Sequence, residues 1–151
     1  MAKVIRQSKI YDAIDIANHI LTYTEGKRRC ISNLMLQKFL FVQAQFLITY
    51  GEPCFRDPIL AWDSGPIVKS VYDEYKFFGA ASIIPDIKTR PVNTVIQLKD
   101  AQLINEIVDL CEKYSPTTLL HIIHGQMPWK QGRIRPNNHI INEDLYKFFS
   151  E

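Results

Sequence analysis

Cysteine is scarce in this sequence, and the spacing of the cysteines argues against disulfide frameworks and zinc clusters. The 151 residues contain three cysteines, Cys30, Cys54 and Cys111, which are far apart and odd in number. They form no C-x-x-C pair, so the sequence predicts neither a disulfide framework nor a zinc cluster. Reduced thiols in a cytoplasmic protein are therefore the expectation.

Long apolar runs are also missing. The uninterrupted apolar stretches span only a few residues, whereas a membrane-spanning helix needs about 20. Residues 1–7 lack the apolar centre of a secretion signal. The sequence therefore predicts no membrane span and no membrane partner.

An excess of charge of either sign is absent as well. The chain carries 18 lysines and arginines against 16 aspartates and glutamates, for a net charge of +2. This balance offers no strong electrostatic reason to expect nucleic acid as a partner. Because 46% of the residues are hydrophobic and no linker or repeat interrupts the chain, we expect residues 1–151 to form a single compact domain.

The patterns typical of cofactor sites and catalytic sites are missing too. The chain has no P-loop, no G-x-G-x-x-G and no H-E-x-x-H. His121 and His124 have i, i+3 spacing on a predicted helix, but a stable metal site needs three or four ligands. We predict no cofactor, no metal and no catalytic residue. An enzyme built on His124, Trp129 and Arg133 is the least supported alternative.

Apolar residues recur at three- and four-residue spacing and predict a mainly α fold of about six helices. Asp100 is a candidate cap for the fourth helix, and Ser115 with Pro116 for the fifth. Residues 82–98 contain two prolines and several β-branched residues, which predict a loop and a short β element between helices 3 and 4. The expected helical ranges are 10–24, 33–51, 66–78, 101–111, 116–124 and from 142 onward.

The second predicted helix has the most aromatic residues, and it also carries four polar ones. These are Gln37, Lys38, Gln43 and Gln45. We expect most of them to face water, and one of them could meet the first tryptophan of the chain.

That first tryptophan, Trp62, precedes a turn formed by Ser64, Gly65 and Pro66. The Gly-Pro pair is predicted to open a helix that carries Tyr72. The indole would then lie close to the positive end of that helix.

The second tryptophan, Trp129, is flanked by Lys130 and Arg133. Tryptophan and arginine are frequent at protein interfaces, because they combine a large contact area with hydrogen bonding. The alternative is that each tryptophan packs into the core and that the cations cover Trp129 with their aliphatic stems.

Four motifs, in order along the chain, resemble one known family. They are residues 33–43 (NLMLQKFLFVQ), 50–55 (YGEPCF), 61–72 (AWDSGPIVKSVY) and 124–133 (HGQMPWKQGR). The set is similar to the Panacea domain of the SocA-like antitoxins, a family that includes the phage-associated protein GepA. Ile123 stands where the family often has threonine, and Gly132 stands where it often has alanine. Residues 82–98 match no family motif.

The resemblance implies a mostly helical antitoxin, found in bacteria, phages and mobile elements, that neutralises a toxin by protein–protein contact. It does not identify the toxin, and it leaves a homo-oligomer open. Two alternatives use the same kind of surface: inhibition of a host defence or regulatory protein, and an adaptor role that presents the toxin to a protease. The residues expected to bind the partner or to support the motifs are Gln37, Lys38, Gln43, Trp62, Ser64, Gly65, Pro66, Tyr72, His124, Trp129, Lys130 and Arg133.

Overall fold

Seven α-helices and three short strands form from residues 10–27, 34–79 and 95–151, which are the residues that the computed structural model describes. The mainly α fold predicted from the periodicity is confirmed. The helices are α1 (Ala13–Gly26), α2 (Leu34–Tyr50), α3 (Lys69–Tyr75), α4 (Leu98–Cys111), α5 (Pro116–His124), α6 (Met127–Ile134) and α7 (Asn142–Phe149), and the strands are β1 (Ile59–Trp62), β2 (Gly65–Val68) and β3 (His139–Ile140).

Helix α2 lies at the centre of the described structure. It packs against α4, α5, α7 and β2, and its aromatic residues Phe39 and Phe46 are fully buried. From residue 35 to residue 50, only Ile48 is exposed. Because neighbouring elements cover most of this apolar helix, three of its polar residues, Gln37, Lys38 and Gln43, are buried as well.

The three strands form one antiparallel sheet in the order β2-β1-β3. Strands β1 and β2 make a hairpin with a two-residue turn, in which Trp62 pairs with Gly65 and Ala61 pairs with Pro66. The prediction that Pro66 opens a helix is therefore wrong, because α3 begins only at Lys69. Strand β2 is at the edge of the sheet, where a proline is tolerated because its missing N–H is not needed for the ladder.

Of the two predicted helix caps, Ser115 is confirmed and Asp100 is wrong. Ser115 caps α5 as predicted, since its Oγ accepts a hydrogen bond from the Thr118 backbone N–H at 3.1 Å. Asp100 does not cap α4, because that helix starts one turn earlier, with Gln97 at the cap position. Asp100 is instead buried and accepts a hydrogen bond from the Tyr11 hydroxyl at 2.6 Å.

The β element expected between helices 3 and 4 falls mostly on residues 80–94, which lie outside the described residues. Residues 95–97, which are described, have no regular structure. The sheet is built instead from three other segments, residues 59–62, 65–68 and 139–140. None of the helices in the described ranges is long and apolar enough to cross a membrane.

Candidate functional site

Gln37 and Lys38 on α2 are buried and tie that helix to the connection between α4 and α5. Gln37 Nε2 donates to the Pro116 carbonyl at 3.2 Å, and Lys38 Nζ forms an ion pair with Glu112 Oε1 at 2.8 Å. Lys38 has no exposed surface, and a buried charge needs such a partner to offset its desolvation. The expectation that most polar residues of this helix face water is wrong, because neighbouring elements enclose α2.

Gln43 is also buried, and it holds the chain that follows α2. Its Oε1 accepts hydrogen bonds from the backbone N–H groups of Cys54 (2.9 Å) and Phe55 (3.2 Å). Its Nε2 donates to the Phe55 carbonyl at 2.9 Å and to Asn142 Oδ1, in the first turn of α7, at 3.2 Å. One side chain therefore joins α2, the following loop and α7.

Arg133 on α6 occupies the centre of a group of side chains that we call the Arg133 cluster: Asp63, His124, Trp129, Lys130 and Arg133. Lys130 is included as the exposed residue three positions before Arg133 on the same helix. The Arg133 guanidinium makes the central contacts. Its Nη1 donates to the Ala61 carbonyl on β1 at 3.0 Å. Its Nη2 is 2.7 Å from Asp63 Oδ1, and its Cζ lies 5.4 Å from the centroid of the Trp129 ring. The cluster thus joins the β1–β2 turn to α6. The positions of the two tryptophan motifs in the sequence did not indicate this contact.

His124 and Trp129 stack at the corner between α5 and α6. Their ring centroids are 4.1 Å apart, with an angle of 36° between the planes. Three polar atoms buried at this corner have no hydrogen-bond partner within the described part of the chain: His124 Nε2, Gln126 Oε1 and Trp129 Nε1. Such an atom typically carries a cost of about 1–3 kcal/mol, so the corner is not held together by hydrogen bonding of these groups.

Trp62 and Tyr72 form a second aromatic pair beside the hairpin turn. Their ring centroids are 5.4 Å apart in an edge-to-face arrangement, and both side chains are half-buried. Ser64 in the turn is exposed, whereas Gly65 and Pro66 are buried. Gly65 has φ +123°, and a Cβ there would lie 3.3 Å from Leu120 Cδ1, so a side chain at this position would disturb the approach of the hairpin to α5.

The twelve expected site residues therefore divide into two groups by their burial. Gln37, Lys38, Gln43, Gly65 and Pro66 are buried, and they support the fold. The exposed and half-buried members are Trp62, Ser64, Tyr72, His124, Trp129, Lys130 and Arg133. Asp63 was missed, because nothing in the sequence indicates an ion pair between residues that are so far apart along the chain.

A separate apolar groove of about 290 Å³ lies between α2, α4, α5 and α7. Leu110 on α4 and Ile122 on α5, two apolar residues at helical spacing from buried ones, are 53% and 38% exposed beside it. The side chains that line the groove are Phe41, Ala44, Gln45, Ile48, Ile107, Leu110, Cys111, Tyr114, Leu119, Ile122 and Phe149.

The two cysteines in the described ranges, Cys54 and Cys111, are buried and form no disulfide. Burial raises the pKa of the Cys111 thiol from 9.0 to about 11, with a smaller opposing effect of the Lys38 charge. A thiol with so high a pKa is a poor nucleophile at neutral pH. Residues 10–27, 34–79 and 95–151 also contain no group of three or more His, Cys, Asp or Glu side chains that could hold a metal ion.

The chain is similar to a known protein family. The model of the family described as antitoxin SocA-like, Panacea domain, matches residues 36–130, which is more than half of the chain. The matched stretch includes the β1–β2 hairpin, Trp129 and Lys130, and it ends just before Arg133. No curated protein and no solved structure matches the chain.

Proposed function

Because this chain belongs to the family of SocA-like antitoxins with a Panacea domain, we propose that it neutralises a partner toxin by direct protein–protein contact. The observation that best supports this proposal is the meeting of two distant family motifs at the Arg133 cluster, where Arg133 bonds both to β1 and to the hairpin turn. The proposal treats the chain as one domain and, following the resemblance, as the product of a phage or mobile element.

The proposed contact surface is the outer side of the Arg133 cluster together with the neighbouring Trp62–Tyr72 pair. Aromatic rings and arginine are enriched among the residues that dominate binding at protein interfaces. The side chains of Trp62, Tyr72 and Trp129 are half-buried, so packing fixes part of each ring and the rest is exposed to a partner. A surface ordered in advance loses less conformational entropy on binding than a flexible one.

The family is described as one of antitoxins, and the proposal assigns no bond-making step to this chain. The cluster does contain a histidine, His124, but its ring stacks on Trp129 at 4.1 Å. The buried motif residues, Gln37, Lys38 and Gln43, support the surface by fixing the elements beneath it.

Co-expression with the product of the adjacent gene tests this proposal. We expect this chain to restore growth of cells that express a toxic neighbour and to co-purify with it. Recovery of a host protein without the neighbour would favour the host-inhibitor alternative. Loss of the toxin only in cells that contain a particular protease would favour the adaptor alternative.

A charge-reversal variant tests the proposed surface within the same assay. Lys130 is exposed in the cluster, and Lys130→Glu should weaken binding by about tenfold, or ~1.4 kcal/mol. The matched control is Lys99→Glu, an exposed lysine in the first turn of α4. Equal binding by both variants would place the contact surface elsewhere on the chain.

A further inference from the structure

We propose that Arg133 is a receptor for an aspartate or glutamate side chain of the protein partner, and that Asp63 occupies this receptor in the free chain. The inference rests on the proposed function, because it names the chemistry that the partner presents to the Arg133 cluster. Asp63 thereby acts as an internal competitor, which the partner's carboxylate displaces.

The Arg133 guanidinium is fixed in direction before any partner arrives. One side of it is held by the Ala61 carbonyl at 3.0 Å, and the Trp129 ring lies 5.4 Å from its Cζ. The remaining contact, 2.7 Å to Asp63 Oδ1, is made at the surface, where the Asp63 side chain is 89% exposed. The planar group therefore offers carboxylate-binding donors in a set orientation, which lysine could not do.

Breaking the ion pair between Asp63 and Arg133 costs little free energy. An ion pair between exposed groups contributes little to stability, because water and salt screen it. A partner's carboxylate that becomes covered by the interface is screened less, so it attracts Arg133 more strongly than the exposed Asp63 does. The hydrogen bonds that the guanidinium donates offset the cost of removing that carboxylate from water. The difference between the two environments favours displacement of Asp63.

The charges around the cluster favour an acidic partner. Lys130 is exposed, and none of the ion pairs found among the described residues involves it. When the Asp63 contact is broken, the Arg133 guanidinium remains against the Trp129 ring. Lys130, three residues earlier on the same helix, adds a second positive charge to this part of the helix surface. An acidic side chain from the partner complements this arrangement, whereas a basic one is repelled.

A peptide probe tests the receptor without any knowledge of the toxin. Hexaglutamate, acetylated and amidated so that only its side chains are charged, is titrated into the purified full chain. The NMR signals of the Arg133 Nε–H and of the Trp129 indole N–H report binding at the cluster, and uncharged hexaglutamine is the control peptide. We expect hexaglutamate alone to shift both signals, with an affinity that falls as salt is added.

The decisive comparison is between two variants, each of which removes one negative charge from a different exposed ion pair. Asp63→Asn frees Arg133, whereas Asp73→Asn removes a carboxylate from another exposed ion pair, 3.0 Å from Lys69 Nζ. Asp63→Asn should bind hexaglutamate about threefold more tightly than Asp73→Asn does. Equal affinities, weaker binding by Asp63→Asn, or shifts confined to residues outside the cluster would each overturn the proposal.

The outcomes also separate this inference from the proposed function. Rescue of growth by co-expression, with no hexaglutamate binding at Arg133, would reject the carboxylate receptor and leave the antitoxin role intact. Hexaglutamate binding that is enhanced in Asp63→Asn, with no rescue and no co-purifying neighbour, would support the receptor and count against the antitoxin role.

Discussion

Gln43 makes four hydrogen bonds from one buried side chain, and these bonds satisfy backbone groups that water cannot reach. Two backbone N–H groups and one carbonyl in the loop after α2 depend on it. Its fourth bond reaches Asn142 at the start of α7. A helix interior would ordinarily favour an apolar residue here, so the glutamine is explained by the loop that it holds.

Replacement of Gln43 by leucine should therefore be costly. Leucine has a similar size, but it cannot accept the hydrogen bonds that the buried backbone N–H groups of Cys54 and Phe55 donate to Gln43. We therefore expect a loss of about 3 kcal/mol in the free energy of unfolding. Urea denaturation measures this loss. Gln45→Leu is the control, because Gln45 is half-buried and its side chain bonds to Thr49 on the same helix. Similar losses in both variants would contradict the assigned role of Gln43.

Cys111 makes a pH-dependent contribution to stability. Burial raises its pKa from 9.0 to about 11, so the unfolded chain releases this proton at a lower pH than the folded chain does. Its contribution is complete below about pH 9 and is lost between about pH 9 and 11, with a total near 2–3 kcal/mol. Denaturation of the wild type and of Cys111→Ala across this range should show a steeper decline for the wild type. Parallel curves would contradict the raised pKa.

At the scale of elements, apolar periodicity predicted most of the helices but not all of them. Apolar residues at helical spacing recur in α1, α2, α4, α5 and α7. α6 was missed because the residues that it buries, Pro128 and Gly132, form no apolar stripe. The signal that could have found α6 is Pro128, since proline is common in the first turn of a helix.

The β1–β2 hairpin shows where local signals mislead. A Gly-Pro pair is compatible with a helix start and also with an edge strand. The choice between them is made by pairing with Ala61 and Trp62, and by the packing of β2 against α2. Neither is visible in the residues of the turn itself.

The contact between α6 and the sheet depends on Gly132. An added Cβ at this position would lie 2.9 Å from Ile140 Cγ1 and 3.0 Å from Ala61 Cβ, closer than atoms pack without a shift. The alanine that the family often has here would therefore push α6 away from β1 and β3 in this chain.

We expect Gly132→Ala to destabilise the protein by about 1–2 kcal/mol, because the overpacking outweighs the better helix propensity of alanine. Thermal unfolding measures the effect. Gly125→Ala is the matched control, since its nearest neighbour would be 3.5 Å away, and it should change stability by less than about 0.5 kcal/mol. A stabilised Gly132→Ala variant would show that α6 moves freely on the sheet.

At the scale of the whole molecule, only part of the candidate site could be predicted from the sequence. The motif resemblance named Trp129 and Arg133, but the Asp63–Arg133 ion pair depends on the fold that brings α6 to the hairpin turn. The apolar groove was not predicted, because Leu110 and Ile122 follow the core pattern and are nevertheless exposed. The described residues thus include a cationic and aromatic surface at the Arg133 cluster and a separate apolar groove.

Hydrogen exchange of the complex with the adjacent gene product tests the central claim most directly, because it reports both contact and its location. We predict slower exchange at residues 62–65 and 126–135 when the partner is bound, with little change along α1 as an internal reference. Protection confined to the groove residues of α4 and α5, or no protection anywhere in the chain, would contradict a partner contact at the Arg133 cluster.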